Sequence, residues 1–199
     1  MIQLYASPLS GNAHKIRMAL AFLELPHEEI TVAGPERKTP DFFRLNPLGQ
    51  VPVLVDGDTV IRDSQAILAY LAALHRPGEW DGRDAVERGR IAQWLSLAAN
   101  EIANGPAMLR LGKLFGVDIY EPGARAMTAK AFPVLDAHLA SRDWLEGDRL
   151  TIADLAVSPY VALAPDGGID LAGFPNITRW LARIAALPNF PSMQGWPAA

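Results

Sequence analysis

Ser10 is the residue with the clearest chemical opportunity. It closes the stretch Ser7-Pro8-Leu9-Ser10, is followed by Gly11-Asn12, and precedes a helical period that begins at Ala13. The first amides of a helix have no partner within it, and the positive end of its dipole points the same way. An anion held there gains about 0.3–2 kcal/mol from the dipole. A serine hydroxyl donating to that anion adds about 1.5–3 kcal/mol. Together these lower the pKa of a bound thiol by about two units, at about 1.4 kcal/mol per unit. The same spot equally suits plain helix capping by Ser10 or Asn12. Position alone leaves both readings open.

Three other stretches carry usable groups. Val51-Pro52 opens the apolar run Val53-Leu54-Val55. A cis bond there would let the Val51 backbone face a cleft and pair with a ligand backbone, whereas a trans bond makes an ordinary strand start. Asp63-Ser64 precedes another helical period. Ser64 suits the cap, the free amides suit a carboxylate, and Asp63 suits a ligand ammonium; a cap beside a solvated acid is the plainer alternative. Arg37 and Lys38 lie in an irregular segment and suit either a second carboxylate or bulk water.

Other chemistries find little support. His14, His27, His75 and His138 show neither HxxxH nor HxH spacing, so no metal site is expected. Ser10 and His14 are four apart, but no GxSxG elbow surrounds the serine and no acid is placed to orient the histidine. GxGxxG and P-loop motifs are absent. Trp94, Trp144 and Trp180 fall on helical stripes and read as core.

The elements that must position these groups follow from period. Ile2, Leu4 and Ala6 alternate as in a strand. Ile16, Ala19, Leu20 and Leu23 recur at three and four, with His14, Lys15, Arg17 and Glu24 on other faces, and Pro26 stops the helix. Ile30 and Val32 make a second strand, completing a βαβ unit with parallel strands. After the irregular segment come a strand at Val53, a hairpin turn at Asp56-Gly57, a strand at Thr59-Val60-Ile61, and a helix with Ile67, Leu71 and Leu74 on one side. Residues 77–84 are breaker-rich and read as a linker. Beyond them every period is helical. Val86, Ile91, Leu95, Ala98 and Ile102 form one stripe, and Met127, Val134, Leu135, His138 and Leu139 another, with Pro133 expected to kink it. Thr151-Ile152-Ala153-Asp154 has capping-box spacing with Asp in place of Glu. A last helix is expected from about Pro175 to Ala186. This predicts an α/β domain over 1–76 and an all-helical domain over 85–199.

The 199 residues are half apolar and one-fifth charged, a globular composition with ample core material. Net charge is −4 with no basic block, which disfavours nucleic acid and anionic membrane as partners. The N-terminus lacks the basic and apolar regions of a signal peptide, and a cytoplasmic location is expected. Cysteine is absent. Disulfides, thiolate metal sites and any cysteine nucleophile are thereby excluded.

Four motifs stand in a telling order. Leu4-Tyr5-Ala6-Ser7-Pro8-Leu9-Ser10-Gly11-Asn12, Asn46-Pro47-Leu48-Gly49-Gln50-Val51-Pro52-Val53-Leu54 and Arg62-Asp63-Ser64-Gln65-Ala66-Ile67-Leu68-Ala69-Tyr70-Leu71 resemble the cytosolic glutathione S-transferases. So does Asp143-Trp144-Leu145-Glu146-Gly147-Asp148-Arg149-Leu150-Thr151-Ile152-Ala153-Asp154, with the closing Ala186-Leu187-Pro188-Asn189-Phe190. The resemblance spans essentially the whole chain. It implies a thioredoxin-like βαβαββα domain followed by a helical bundle domain, a homodimer, and glutathione as co-substrate without a metal.

The resemblance also implies roles. Val51-Pro52 would be cis, with Val51 pairing the cysteinyl backbone of glutathione. Asp63 and Ser64 match the pair holding the γ-glutamyl end, where the family more often has Glu-Ser. Gln50 matches a peptide contact; Lys38, and less closely Arg37, match residues near the glycyl carboxylate. Ser10 matches the activating serine of theta-like and phi-like classes. Asn12 would be a second thiolate donor, as in some bacterial and fungal relatives, and Ser7 is a rival to Ser10. Tyr5, inside the first strand, is expected in the core. Without a protein thiol, mixed-disulfide chemistry is excluded and serine-type conjugation to a small hydrophobic electrophile remains. Leu9, Met108 and Leu109, with Leu111 and Phe115, are the expected apolar wall between the domains. Peroxide reduction, dehalogenation, ether cleavage, isomerisation and ligand carriage without turnover are the alternatives.

Overall fold

The computed structural model describes residues 1–196. Strand β1 (Ile2–Ala6) alternates buried and half-buried residues and is followed by helix α1 (Gly11–Phe22). Strand β2 (His27–Thr31) begins earlier than Ile30 and pairs parallel to β1. It is an edge strand, and its Glu28 and Glu29 keep that edge charged. A 3-10 turn (Glu36–Lys38) and short helix α2 (Pro40–Leu45) lead to strands β3 (Val53–Asp56) and β4 (Thr59–Arg62). The sheet order is β2-β1-β3-β4, with β3 antiparallel to both neighbours. Asp56 pairs with Thr59, so the hairpin turn is Gly57-Asp58, one residue later than expected, with Gly57 at φ +59°. Helix α3 (Ser64–His75) completes the thioredoxin-like unit.

The rest is helical: α4 (Ala85–Leu97), running on through a π turn at Ala98–Ile102, then α5 (Pro106–Phe115), α6 (Glu121–Leu139), α7 (Ile152–Ala162) and α8 (Pro175–Ala185). The buried stripe of α6 is Ala124, Thr128, Ala131, Phe132, Leu135 and Leu139. Val134 and Pro133 lie on its outer face, as does Val86 on α4. Proline costs less there, because the freed carbonyl can meet water.

One apolar core runs through both parts, from Leu4 and Ile16 to Leu155, Trp180 and Ile184. Tyr5 packs in a smaller cluster with Val32, Phe42 and Val53, as expected of a core tyrosine. Helix α7 is the central post of the core, packing against α1, α3 and α4. It also accounts for a face that hydropathy places wrongly. The helical period puts His14 and Lys15 on the polar side of α1, yet both are buried. Helix α1 packs against both α7 and α3, so little of it meets water.

His14 packs edge-on against Phe190 and at a tilt against Trp196, with its Nε2 unpartnered. Burial, with help from Arg17, pushes its pKa down to about 4. A base depressed in the fold binds its proton more readily when unfolded. Its contribution is therefore complete above about pH 6.5 and is lost as pH falls toward 4. We expect His14→Phe to gain about 2 kcal/mol on the wild type when urea unfolding at pH 5 is compared with pH 7.5. Parallel pH profiles for the two proteins would refute this.

Candidate active site

A cleft of about 480 Å³ opens between the two parts. That is within the range of small-molecule sites. Ser7, Leu9, Ser10, Asn12, Arg37, Gln50 and Val51 line one side; Ala107, Arg110, Leu111, Phe115, Val117 and Tyr160 line the other.

Ser10 is the N-cap of α1, and the Ala13 amide donates to its Oγ at 3.1 Å. It also lines the cleft. The two readings of Ser10 are thus compatible: the oxygen accepts from Ala13 through a lone pair and keeps its own hydrogen to donate. Ser7 lies one turn away, its carbonyl accepting from the Ser10 amide at 3.1 Å and from Arg17 Nη2 at 3.1 Å. Asn12 lines the same wall and reaches toward α3, its Oδ1 standing 3.4 Å from Ser64 Oγ.

The peptide Val51-Pro52 is cis. The preceding loop is held by Asn46, whose Nδ2 donates to the Gln50 carbonyl at 2.7 Å and whose Oδ1 accepts from Leu48 N at 3.0 Å. Gln50 and Val51 both line the cleft beyond it.

At the start of α3 the cap is Asp63 and not Ser64. Its carboxylate accepts from Gln65 N at 3.0 Å and Ala66 N at 3.1 Å, with φ at +76°. Ser64 is the first helical residue and is buried. Lys15 Nζ approaches Ser64 Oγ at 3.5 Å. Burial pushes the Lys15 ammonium down to about 7, and the negative charge of Asp63 holds it up against that pull. A buried cation beneath the Asp63-Ser64 corner favours an anionic group arriving there.

Of the two adjacent basic residues, Arg37 lines the cleft, half-buried, with its Nε unpartnered, while Lys38 is exposed and outside it. The short turn that carries them rotates successive side chains apart, so only one can point inward.

The apolar wall also differs from expectation. Leu9, Leu111 and Phe115 line the cleft; Met108 and Leu109 do not. Ala107, Leu111 and Phe115 are spaced by four along α5 and share its cleft face, whereas Leu109 is buried against Gly167 on another face.

Arg110 and Tyr160, two further cleft residues, carry no mark of function in their own stretch of sequence. Arg110 is almost wholly buried; its Nε donates to Asp166 at 2.9 Å and its Nη1 to the Leu9 carbonyl at 2.7 Å, strapping the Ser10 loop to the helical part. Tyr160, near the end of α7, lies over the start of α1. Among the described residues, no group of three or more His, Cys, Asp or Glu is placed to hold a metal ion, and no helix is long and apolar enough to cross a membrane.

A thioredoxin-like sheet, a cis peptide and a helix-capping serine meet at this cleft, the arrangement that the sequence resemblance implies, and comparison with known proteins shows the family. Residues 9–74 match the family described as glutathione S-transferase, N-terminal domain, and residues 118–188 match glutathione S-transferase, C-terminal domain. Glutathione S-transferase GstB of Escherichia coli K12 is 30% identical over 94% of this chain and 95% of its own. A solved glutathione S-transferase from Xanthobacter autotrophicus Py2 superimposes with a TM-score of 0.88 at 30% identity, covering 98% of each chain. A glutathione transferase family member from Pseudomonas fluorescens Pf-5, solved with two glutathione molecules bound, gives 0.81 at 27% identity over 95% of this chain and 90% of that one. The chain belongs to the glutathione S-transferase family. It is a glutathione transferase.

Proposed function

We propose that glutathione lies along this cleft with its sulfur at Ser10 and the N-terminus of α1. Its cysteinyl backbone pairs with Val51 and touches Gln50. Its γ-glutamyl end meets Asp63 and Ser64 above the buried Lys15, and its glycyl carboxylate meets Arg37. The observation that carries this reading is Ser10, which caps α1 and faces the cleft at once. The thiol proton leaves to solvent, and the helix amides and the Ser10 hydroxyl hold the thiolate. The sulfur then forms a bond to an electrophilic carbon as the leaving group departs with the bonding pair. Leu9, Leu111 and Phe115 make the apolar side of the cleft, which fits a small hydrophobic electrophile. A free thiol near pH 7 is only a few per cent thiolate, so activation is most of what the site must supply.

The test is ultraviolet difference titration of glutathione onto the protein across pH 5–9, followed at the thiolate band. A bound-thiol pKa of about 6–6.5, against about 8.5 for a free thiol, is the expected result. Saturable binding with an unshifted pKa would refute activation, and no binding would refute the site.

The reading includes a homodimer and a cytoplasmic setting, where glutathione is kept reduced. Exposed Phe43 and Leu48 on α2 and the loop after it, and exposed Val86 and Val134 on the helical part, offer apolar surface for pairing. A single-chain mass in light scattering would rule the dimer out.

A further inference from the structure

Tyr160 sits where the proposed sulfur site meets the helical domain. Its ring lies against Gly11 so closely that a Cβ added there would stand 2.8 Å from Cε1 and Cζ. The phenol oxygen faces the Gly11 and Asn12 amides and the Ser10 side chain, the same donors that make the start of α1 attractive to an anion. Lys15 Nζ lies 5.8 Å from the ring centroid, and the Arg110 guanidinium is the other cation near the phenol. The ring is therefore wedged between helix start and cleft, and it leaves a narrow seat shared by Ser10, Asn12 and Tyr160. The two amides are donors only and the Ser10 hydroxyl can donate as well, so the tyrosine's own hydrogen can be given to an acceptor in the cleft. Burial pushes the phenol pKa up, which keeps that hydrogen in place at neutral pH.

We propose that Tyr160 is a second hydroxyl donor to the sulfur of glutathione, reaching it from the helical domain opposite Ser10. This rests on the reading of the cleft as a glutathione site. A thiolate in this seat would lie between two O–H groups, one from each part of the chain, at the positive end of α1. Gly11 is then required by the geometry, since any side chain there would push the phenol away from the seat. The arrangement also ties activation to the seam between the two parts, because the second donor keeps its aim only while α7 packs on α1.

The test compares wild type with Tyr160→Phe, which keeps the ring over Gly11 and removes only the oxygen. The readouts are the bound-thiol pKa and the pH dependence of kcat/KM with a generic aromatic electrophile. We expect the thiol pKa to rise by about one unit, a roughly ten-fold change in thiolate fraction at pH below both values. Turnover at pH 6.5 should fall about three- to thirty-fold, with KM for glutathione little changed and rates converging near pH 9. Replacing Tyr160 by 3-fluorotyrosine strengthens the donor with little change in packing and should shift the thiol pKa downward. A wild-type thiol that is activated equally in Tyr160→Phe, and unmoved by fluorotyrosine, would reduce Tyr160 to a packing residue. A wild-type protein that binds no thiolate would overturn the glutathione reading, and this inference with it.

Discussion

Asp154→Ala should lower the unfolding free energy by about 3–5 kcal/mol, the loss typical of removing one partner from a buried charged network. The carboxylate is fully buried at the head of α7. Its Oδ1 accepts from Leu145 N at 2.9 Å and from Trp180 Nε1 at 2.9 Å. Its Oδ2 accepts from Thr151 N at 3.0 Å and Thr151 Oγ1 at 3.2 Å. Burial pushes its pKa up to about 6 against these four donors, so at pH 7 and above the charged form is what they hold. Alanine would strand all four donors in a dry core that also contains Trp180. Since a domain's whole stability is about 5–15 kcal/mol, this is a large share of it. At about 2–4 °C per kcal/mol for a chain of this length, the melting midpoint should fall by roughly 6–20 °C. Asp154→Asn keeps one acceptor oxygen but turns an NH2 toward two donors, and should fall between the two. Urea unfolding at pH 7.5 measures both; a loss under about 1 kcal/mol for alanine would mean the four donors find other partners or water.

Local features of the sequence are legible where one short stretch determines both conformation and role. Ser10 before a helical period, the capping box at Thr151 and the strand after Val51-Pro52 are of this kind. The misreadings come from contacts between distant parts. Helix α5 carries apolar residues at Met108, Leu109, Leu111, Leu114 and Phe115, on more than one face, so its phase cannot be deduced from hydropathy. Only packing beside Gly167 decides that Leu109 faces away from the cleft. His14 and Lys15 are polar yet buried, because the face they occupy on α1 is covered by a helix that begins only at Ile152. Tyr160 belongs to a buried helix and has no local mark of function. Its sole cue is Gly11, a glycine at a helix start where a side chain would have been tolerated had nothing leaned on it. Arg37 rather than Lys38 entering the cleft is a matter of one step around a three-residue turn.

The second large effect is on turnover. Ser10→Ala should lower kcat/KM at pH 6.5 by about ten- to a hundred-fold, because a hydrogen bond to a charged sulfur is worth about 1.5–3 kcal/mol. The bound-thiol pKa should rise by about one to two units in step, while KM for glutathione changes little, since the proposed peptide contacts at Val51, Ser64 and Arg37 would be untouched. Alanine also removes the α1 cap, at about 1 kcal/mol of stability, so a second variant must separate the two roles. Ser10→Gly serves, because glycine caps within a few tenths of a kcal/mol of serine but has no hydroxyl. If the hydroxyl is what activates the sulfur, both variants lose the same turnover while glycine keeps most of the stability. If capping is the whole role, glycine restores activity. A third pattern is also informative: unchanged rates in both variants would move the donor to Asn12, Ser7 or Tyr160, the other hydrogen-bonding side chains around the start of α1. Joining Ser10→Gly to Tyr160→Phe then tests whether two donors share one thiolate, since residues acting on the same atom give losses that do not add.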